Sequence, residues 1–430
     1  MNYRETLDFL FSQLPMYQRQ GASAYKADLS TTLQLDEHFR NPHKHYPTIH
    51  VAGTNGKGSV SHMISSVLQE AGFKVGLYTS PHLKDFRERI KINGAMVNED
   101  FVVQFVGYNQ DIIKQLQPSF FEITAAMAFD YFARERVDVA VIETGMGGRL
   151  DSTNIINPEL SIITNIGLDH TKFLVDTIEK IAWEKAGIIK AETPVVIGEK
   201  VAETANVFAT KSQELAAPVH MAEDRFEIIK TFSEPPYYTQ KVTLFDRVFN
   251  ENIDWEIDLT GNYQANNLLT VLTALDILSG KFKHKLEHKL NGLKRVRKNT
   301  GFAGRWEILN KKPLTIADTA HNTEGLQYVL SQLNEIEYNH LHIVLGVVDD
   351  KNLESILPMF PKKASYYFCK ANIPRALDEK ALKSIAFKYN LQGESFESVL
   401  QAFEAAKSVA LSNDLIFIGG STFTVAEALS

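Results

Sequence analysis

The sequence predicts an α/β protein of two domains: an N-terminal domain on a doubly wound, mostly parallel sheet with a small antiparallel appendage, and a smaller, Rossmann-like C-terminal α/β domain. Short apolar runs alternate with stretches of helical periodicity, which is typical of βα units. Polar residues and glycines follow several of these runs, at the end of a strand where open α/β sheets bind ligands. The 430 residues exceed what one hydrophobic core usually holds.

Composition excludes several classes of protein. The net charge is −7, which argues against a general nucleic-acid partner. The single cysteine, Cys369, excludes an intrachain disulfide and a cysteine-based zinc site. The first residues have no signal-peptide character, and no apolar run approaches the roughly 20 residues that span a bilayer. We therefore expect a cytoplasmic protein without membrane or nucleic-acid partners. A monomer is a separate expectation that composition does not supply.

The most informative stretch runs from Gly53 to Ser59, with the sequence Gly-Thr-Asn-Gly-Lys-Gly-Ser. A buried strand is predicted before it, over 48–52, and a helix after it, up to Gly72. Strand, glycine-rich turn, Lys57 and helix form the context of a phosphate-binding loop, because backbone N–H groups and the helix N-terminus face the phosphates. The residues that would bind phosphate are Gly53, Thr54, Asn55, Gly56, Lys57, Gly58 and Ser59.

This loop departs from the usual G-x-x-x-x-G-K-[ST] pattern. Val51 replaces the first glycine, and Gly58 stands where the metal-binding hydroxyl would be. The hydroxyl ligand of a Mg²⁺ ion is therefore expected from another segment. The alternative is a glycine-rich turn in which Lys57 is solvated.

Three further side chains follow predicted elements. Glu143 ends a fully apolar strand beside the loop strand, where the Mg²⁺ of a nucleotide is usually held, although it could also cap a turn. His170 lies just past another strand, and structural and ligand roles are both open for it. Lys185 closes a helix that stops at Gly187, so on its own it is most simply a solvated cation favoured by the helix dipole.

The remaining elements of the first domain follow from periodicity and turn signals. Asn93-Gly94 predicts a hairpin turn. Helices are predicted over 99–116, 121–136 and 178–186, and strands over 75–79, 137–142, 160–164 and 194–197. Short alternating runs over 226–259 predict the antiparallel appendage, and an apolar helix follows at 268–278.

The second domain is predicted to begin after a basic stretch, so the domains are 1–297 and 298–430. Strands are expected over 314–317, 341–347, 366–369 and 415–418, with helices over 324–333, 379–388 and 396–411. Polar residues such as Asp318 and His321 follow the strand ends, which suggests a substrate cleft shared by the two domains.

Taken in order, the motifs resemble those of folylpolyglutamate synthases, often bifunctional as dihydrofolate synthases, in the Mur ligase superfamily. The resemblance covers essentially the whole chain. It rests on the segments Val51–Ser59, Thr79–Leu83, Glu88–Ile90, Glu143–Asp151, Gly167–His170, Glu184–Ile189, Gly304–Glu307 and Asp318–Asn322.

The resemblance implies roles for individual residues. Ser80, Glu143 and His170 would bind Mg²⁺, with Ser80 supplying the hydroxyl that Gly58 lacks. Lys185 matches a lysine that the superfamily carries as a carbamate. The resemblance further implies that Lys57, Lys185 and His170 are catalytic. Asn267, Arg305 and Asp318 would contact ATP. The pteroate or folate site would be lined by Ser119, Phe120, Phe121, Glu122, Leu150, Asp151 and Ser152, and Arg89 and His321 would lie near the incoming glutamate. Thr319 and Ala303 depart from the family pattern, which usually has glycine and proline there.

The implied reaction is an ATP-dependent ligation of L-glutamate to dihydropteroate or to the γ-carboxyl of a reduced folate, through an acyl phosphate, with ATP and Mg²⁺. Two other interpretations remain. A muramyl-peptide ligase uses similar chemistry, although only 49 residues precede His50, too few for a separate nucleotide-sugar domain. A phosphate-loop ATPase or binding module would hydrolyse ATP without ligation.

Overall fold

The structure is a computed structural model that describes residues 1–15, 28–168, 177–233, 239–349 and 351–430. The chain divides into two units: unit 1 is Met1–Phe232, Lys241–Asp258 and Gln264–Phe302, and unit 2 is Ser233–Gln240, Leu259–Tyr263 and Ala303–Ser430. The main boundary therefore lies at 302/303 and not at the predicted 297/298. The physical reason is that the helix before the boundary packs within unit 1, where the Thr300 hydroxyl lies 2.7 Å from His62 Nδ1.

Unit 1 contains the larger sheet. Its strands are β1 (Thr48–Ala52), β2 (Val75–Tyr78), β3 (Ile90–Ile92), β4 (Ala95–Met96), β5 (Val139–Glu143), β6 (Leu160–Ile163), β7 (Val195–Ile197) and β8 (Val219–Met221). Among the described residues these eight strands run in the order β4-β3-β2-β5-β1-β6-β7-β8. All pairs are parallel except β2/β3 and β3/β4.

The loop strand β1 lies in the middle of this sheet, between β5 and β6. All residues of β1, β2, β5 and β6 are buried, as expected for parallel strands covered by helices on both faces. Because Val51 pairs with Glu143 and Ala52 pairs with Ile163, three loops leave the sheet at the same carboxyl edge. The predicted doubly wound sheet is confirmed.

The helices of unit 1 are α1 (Tyr3–Gln13), α2 (Ser30–His38), α3 (Lys57–Glu70), α4 (Glu99–Tyr108), α5 (Gln110–Leu116), α6 (Phe120–Arg134), α7 (Ile178–Ala186), α8 (Ala205–Leu215), α9 (Ala222–Arg225), α10 (Gln264–Leu278), α11 (Leu286–Leu293) and α12 (Val296–Thr300). Short 3₁₀ helices cover Pro42–His45, Phe86–Arg89, Ser152–Ile155 and Ala202–Thr204. Helices α3 and α6 both pack against β2.

Two details of unit 1 refine the predictions. The helix expected over 99–116 is interrupted at Asn109, whose side chain donates to the Phe105 carbonyl 2.6 Å away and competes with the helical pattern. The predicted appendage is confirmed as a three-stranded sheet in the order β11-β10-β9, with β9 (Phe226–Phe232), β10 (Gln240–Asp246) and β11 (Glu251–Ile257).

Unit 2 carries a second α/β sheet. Its strands are β12 (Glu307–Lys311), β13 (Leu314–Ala317), β14 (Leu341–Leu345), β15 (Ser365–Cys369), β16 (Gly393–Phe396) and β17 (Leu415–Gly419), in the order β12-β13-β17-β14-β15-β16. Only β12 is antiparallel to its neighbour among these described strands. The helices are α13 (Thr323–Asn334), α14 (Leu353–Ile356), α15 (Glu379–Phe387), α16 (Val399–Val409) and α17 (Thr422–Ala428), with a 3₁₀ turn at Leu357–Met359.

The hydrophobic interior of unit 2 includes Trp306, Tyr366, Phe368 and Phe417, each almost fully buried. Cys369 is also buried, and burial raises the pKa of its thiol far above the usual range, so it packs as an apolar side chain. Across the described segments of both units, no helix is long and apolar enough to cross a membrane.

Candidate active site

The glycines of the phosphate loop are required by their surroundings. Gly53 and Gly56 have φ angles of +152° and +85°. A Cβ atom at Gly53 would lie 1.8 Å from Thr164 Oγ1, and one at Gly56 would lie 2.3 Å from Asn267 Oδ1. The loop is therefore pressed against the segment after β6 and the first turn of α10, and a larger residue at either glycine would displace it.

The segment after β6 holds the loop by hydrogen bonds. The backbone N–H of Thr54 donates to the Asn165 carbonyl at 3.0 Å, and that of Asn55 donates to Asn165 Oδ1 at 2.7 Å. The Thr164 hydroxyl donates to the Asn55 carbonyl at 2.5 Å. Roles for Thr164 and Asn165 were not predicted, although polar residues directly after a buried strand were a usable signal.

Two lysines meet at one carbonyl of the loop. Lys57 Nζ donates to the Gly53 oxygen at 2.9 Å and to that of Thr54 at 3.2 Å. Lys185 Nζ donates to the same Gly53 oxygen at 2.8 Å, so the two nitrogens lie within about 6 Å of each other. Lys185 is 4% exposed. The alternative of a solvated cation at the end of its helix is therefore wrong.

The Glu143 carboxylate and the backbone of Ser80 meet beside the helix start of the loop. Glu143, at the end of β5, is 3% exposed, and its Oε2 accepts a 3.2 Å hydrogen bond from the backbone N–H of Ser80. A Cβ at Gly58 would lie 3.8 Å from the same Oε2. The structure thus brings Ser80 and Glu143 together, because Glu143 ends β5 and Ser80 follows β2, the adjacent parallel strand.

The oxygen donors at this position fit a Mg²⁺ ion, which prefers carboxylate and hydroxyl oxygens. His170, the third predicted ligand, lies outside the described residues. Within the described part of the chain, no group of three or more His, Cys, Asp or Glu side chains could hold a metal. A magnesium site here would therefore depend on the Glu143 carboxylate, the Ser80 hydroxyl and groups beyond them.

A buried amide links the loop to α10. Gln264 is fully buried, and its Nε2 donates to Ser59 Oγ at 3.1 Å while its Oε1 accepts from Asn267 Nδ2 at 2.8 Å. Asn267 is 8% exposed and turns its Oδ1 toward Gly56. The predicted ATP contact Asn267 thus lies against the phosphate loop, and Gln264 is a supporting residue that the sequence analysis did not single out.

Asp151, which was predicted to line the pteroate site, accepts hydrogen bonds from the backbone of its own loop. Its Oδ2 accepts from the N–H groups of Gly145 and Met146 at 2.8 and 2.9 Å, and its Oδ1 accepts from the N–H and hydroxyl of Thr153 at 3.0 and 2.6 Å. Burial raises the pKa of this carboxyl, and the same hydrogen bonds oppose that rise. Of its two neighbours, Leu150 is half-buried and Ser152 is buried.

The other predicted pteroate stretch begins helix α6. Ser119 and Glu122 form a capping box, with the Ser119 N–H 2.6 Å from Glu122 Oε2 and the Glu122 N–H 3.2 Å from Ser119 Oγ. Phe120 is 3% exposed in the core. Phe121 is half-buried, and its ring lies 2.5 Å from where a Gly145 Cβ would be. Of the four, Phe121 keeps the most exposed side chain.

Arg89, predicted beside the incoming glutamate, is buried at 2% exposure. Its Nε donates to His82 Nδ1 at 2.7 Å, and its guanidinium lies 5.1 Å from the centre of the Phe120 ring. Burial and the Arg89 charge lower the pKa of His82 to about 3, so this imidazole is neutral and can accept. Arg89 therefore lies under the surface of unit 1.

Unit 2 has its own cluster of predicted site residues. Asp318 follows β13, is 1% exposed, and accepts hydrogen bonds from the Tyr263 hydroxyl, the Trp306 N–H and the Ala320 N–H. His321 Nδ1 lies 2.8 Å from the Thr319 carbonyl. Arg305 is half-buried, and its Nη1 atom lies 3.4 Å from the Gly304 carbonyl.

Comparison with known proteins identifies the class. Residues 51–275 match the Mur ligase middle domain, and residues 304–422 match the Mur ligase, glutamate ligase domain. The fold and the phosphate loop described above agree with both matches. The class is therefore that of ATP-dependent ligases of the Mur ligase type.

Individual relatives indicate which family within this class the chain belongs to. The chain is 32% identical over 414 residues to the dihydrofolate synthase/folylpolyglutamate synthase of Bacillus subtilis, with 94% of each chain covered. It is also 32% identical over 434 residues to a probable bifunctional folylpolyglutamate synthase/dihydropteroate synthase of Haloferax volcanii, but spans only 50% of that protein's length. A solved structure, E. coli FolC in complex with DHPP and ADP, matches with a TM-score of 0.85 at 26% identity, covering 100% of this chain and 97% of that one. This chain belongs to the folylpolyglutamate and dihydrofolate synthase family of ATP-dependent glutamate ligases.

Proposed function

We propose that this chain joins the amino group of L-glutamate to the carboxylate of dihydropteroate, to the γ-carboxyl of a reduced folate, or to both, at the expense of ATP. The observation that carries the proposal is the phosphate loop, with Lys57 at its mouth and the Glu143–Ser80 pair beside it. The relatives named above support the folate substrates over cell-wall precursors. A cytoplasmic monomer without nucleic-acid or membrane partners stays a prediction.

The reaction consists of two displacements. The acceptor carboxylate attacks the γ-phosphorus of ATP, the bond to the β,γ-bridging oxygen breaks, and an acyl phosphate and ADP form. The neutral amine of glutamate then attacks the acyl carbon and the bond to phosphate breaks. As the amide forms, the nitrogen gives up one further proton to the leaving phosphate. Lys57 supports the first step, because an ammonium held at the loop stabilises charge on the transferring phosphoryl group.

Magnesium belongs to this proposal as a bound ion. Ser80 and Glu143 would hold it together with His170, and when bound it would neutralise phosphate charge. The oxygen donors support this choice, and Glu143 is held in place by the Ser80 N–H. Nucleotide contacts are assigned to the loop residues 53–59, to Asn267 of unit 1, and to Arg305 and Asp318 of unit 2.

The carbamate on Lys185 is supported by the charges around it. Two protonated lysines within about 6 Å on one carbonyl oxygen repel each other. Addition of CO₂ to the neutral Lys185 amine releases a proton and leaves an anionic carbamate. The repulsion with Lys57 then becomes an attraction, in a site with 4% exposure where screening is weak. Lys57 would thereby be held at the phosphate position.

The acceptor site is assigned to Ser119, Phe120, Phe121, Glu122, Leu150, Asp151 and Ser152, and the glutamate site to Arg89 and His321. Within this set, Phe121 and Leu150 offer partly exposed apolar surface for a flat ring system. Asp151 and the capping box of Ser119 and Glu122 act by holding backbone in position.

The test is a coupled assay that follows ADP release with dihydropteroate and tetrahydrofolate in parallel, each with and without L-glutamate. We expect ADP release and product amide in equal amounts, and only when acceptor, glutamate and Mg²⁺ are all present. ADP release that needs neither acceptor nor glutamate would instead favour an ATPase. A Gly56→Ala variant, which would place a Cβ against Asn267, controls for release that does not use the loop.

A further inference from the structure

The carboxylate of Asp318 is held by three donors from three parts of unit 2. Its Oδ2 accepts from the Tyr263 hydroxyl at 2.6 Å and from the Trp306 N–H at 2.8 Å, and its Oδ1 accepts from the Ala320 N–H at 2.7 Å. An ionised carboxylate has about four acceptor positions. Among the described residues, one position, on Oδ1, therefore has no donor, and the other contacts fix its direction.

Tyr263 is the single side chain among these three donors in the described structure. Its bond to a buried carboxylate is a short, charge-assisted one, a type roughly twice as strong as a neutral hydrogen bond. The ring is held independently of the hydroxyl, since it packs against the core of unit 2 and lies 6.4 Å from the Tyr328 ring in an edge-on arrangement. Removing the hydroxyl alone would therefore loosen Asp318 without emptying the site.

The two backbone donors differ from Tyr263 in how they hold Asp318. Ala320 is two residues away along the chain, so its N–H follows Asp318 in any local movement. Trp306 precedes β12 and has a strained backbone, with φ of +43°. Tyr263 reaches Asp318 from a segment 55 residues distant in sequence. Among the described donors, it is the side-chain contact that orients the carboxylate from a distant segment of unit 2.

We propose that Tyr263 is a positioning residue for nucleotide binding, which aims Asp318 at ATP through its hydroxyl. This inference rests on the proposed contact between Asp318 and ATP. Tyr263 itself would touch no substrate. Its loss should weaken ATP binding and leave the chemical step, which depends on Lys57 and the groups around it, largely intact.

The test compares Tyr263→Phe, Asp318→Asn and the double variant with the wild type, measuring KM for ATP, kcat and melting temperature. Tyr328→Phe is the matched control, because its ring neighbours that of Tyr263. We expect Tyr263→Phe to raise KM for ATP roughly three- to tenfold with kcat within about twofold. Asp318→Asn should raise KM at least as much, and the double variant should equal Asp318→Asn alone, since Tyr263 acts through Asp318.

The outcomes separate the inference from the proposed function. If Asp318→Asn leaves KM for ATP unchanged, the proposed ATP contact fails and the inference fails with it. If Asp318→Asn raises KM and Tyr263→Phe does not, the ATP contact stands and the role of Tyr263 is refuted. Additive effects in the double variant would also refute the inference. A lower melting temperature of Tyr263→Phe with unchanged KM for ATP would refute it too, because the hydrogen bond would then be purely structural.

Discussion

Replacing Asp258 by asparagine is expected to remove a pH dependence of stability from unit 1. Asp258 follows β11, and its Oδ2 accepts the backbone N–H of Arg297 at 2.8 Å while its own carbonyl accepts Arg297 Nε at 3.0 Å. Burial raises the pKa of the carboxyl from 3.8 to about 6, despite the opposing effect of these donors and of the Arg297 charge. The group therefore titrates at different pH values in the folded and unfolded chain.

The sign and size of the effect follow from that difference. Between about pH 4 and pH 6 the folded chain holds a proton on Asp258 that the unfolded chain has lost, so the free energy of unfolding falls as pH rises. A shift of about two pKa units corresponds to about 3 kcal/mol at pH 7. Because Asp258 Oδ1 has no hydrogen-bond partner among the described residues, the new amide N–H₂ would be buried there at a cost of about 1 kcal/mol or more. The expected net gain of Asp258→Asn at pH 7 is about 1 to 2 kcal/mol.

The assay is equilibrium unfolding in urea between pH 4 and pH 7.5, followed by tryptophan fluorescence. Trp255 lies on β11 with 4% exposure and reports locally on this region. Asp254→Asn is the matched control, because it removes the same charge from an exposed position on β11, the strand that Asp258 follows. If Asp258→Asn keeps the wild-type slope between pH 4 and pH 6, the proton on Asp258 is not the cause and the reasoning is refuted.

Three predictions concern the ligase site. Lys57→Ala should lower turnover at least 100-fold, worth about 3 kcal/mol, with an unchanged melting temperature; near-normal ligation by the folded variant would contradict the phosphate-loop assignment. Glu143→Gln should raise the Mg²⁺ concentration needed for half-maximal rate at saturating folate, because the amide lacks the negative charge; an unchanged requirement would leave Glu143 as a support for Ser80. Lys185→Ala should lose most activity, part of which short carboxylates should restore, and intact-mass analysis should find CO₂ on Lys185 of the wild type; ligation at the wild-type rate would rule out the carbamate.

The parallel core of the fold could be predicted from the sequence because its strands are buried on both faces. Such strands are continuous apolar runs, as in β5 and β17, and are visible without partners. The edge strand β16 was missed, and its Phe396 was assigned to the next helix. Its sequence, Gly-Glu-Ser-Phe, has no apolar pattern, and only pairing with β15 makes it a strand.

The part of the candidate site that could be predicted is the part whose residues lie close together in the sequence. The glycines and Lys57 of the phosphate loop occupy neighbouring positions, and their spacing carries the signal. Thr164 and Asn165 hold the same loop from about 110 residues away, through the pairing of β1 with β6. That neighbour relation depends on strand order, which periodicity along the chain does not encode.

Lys185 illustrates why burial must be known before a charge can be assigned a role. From the sequence, a lysine in the last turn of a helix is most simply a solvated cation. In the structure its nitrogen lies under the phosphate loop, 2.8 Å from the Gly53 carbonyl that Lys57 also contacts. A buried charge needs compensation, and the anions proposed for this site, the phosphates of ATP and a carbamate on Lys185, would supply it. The geometry that rules out a solvated lysine is therefore also the geometry on which the proposed carbamate rests.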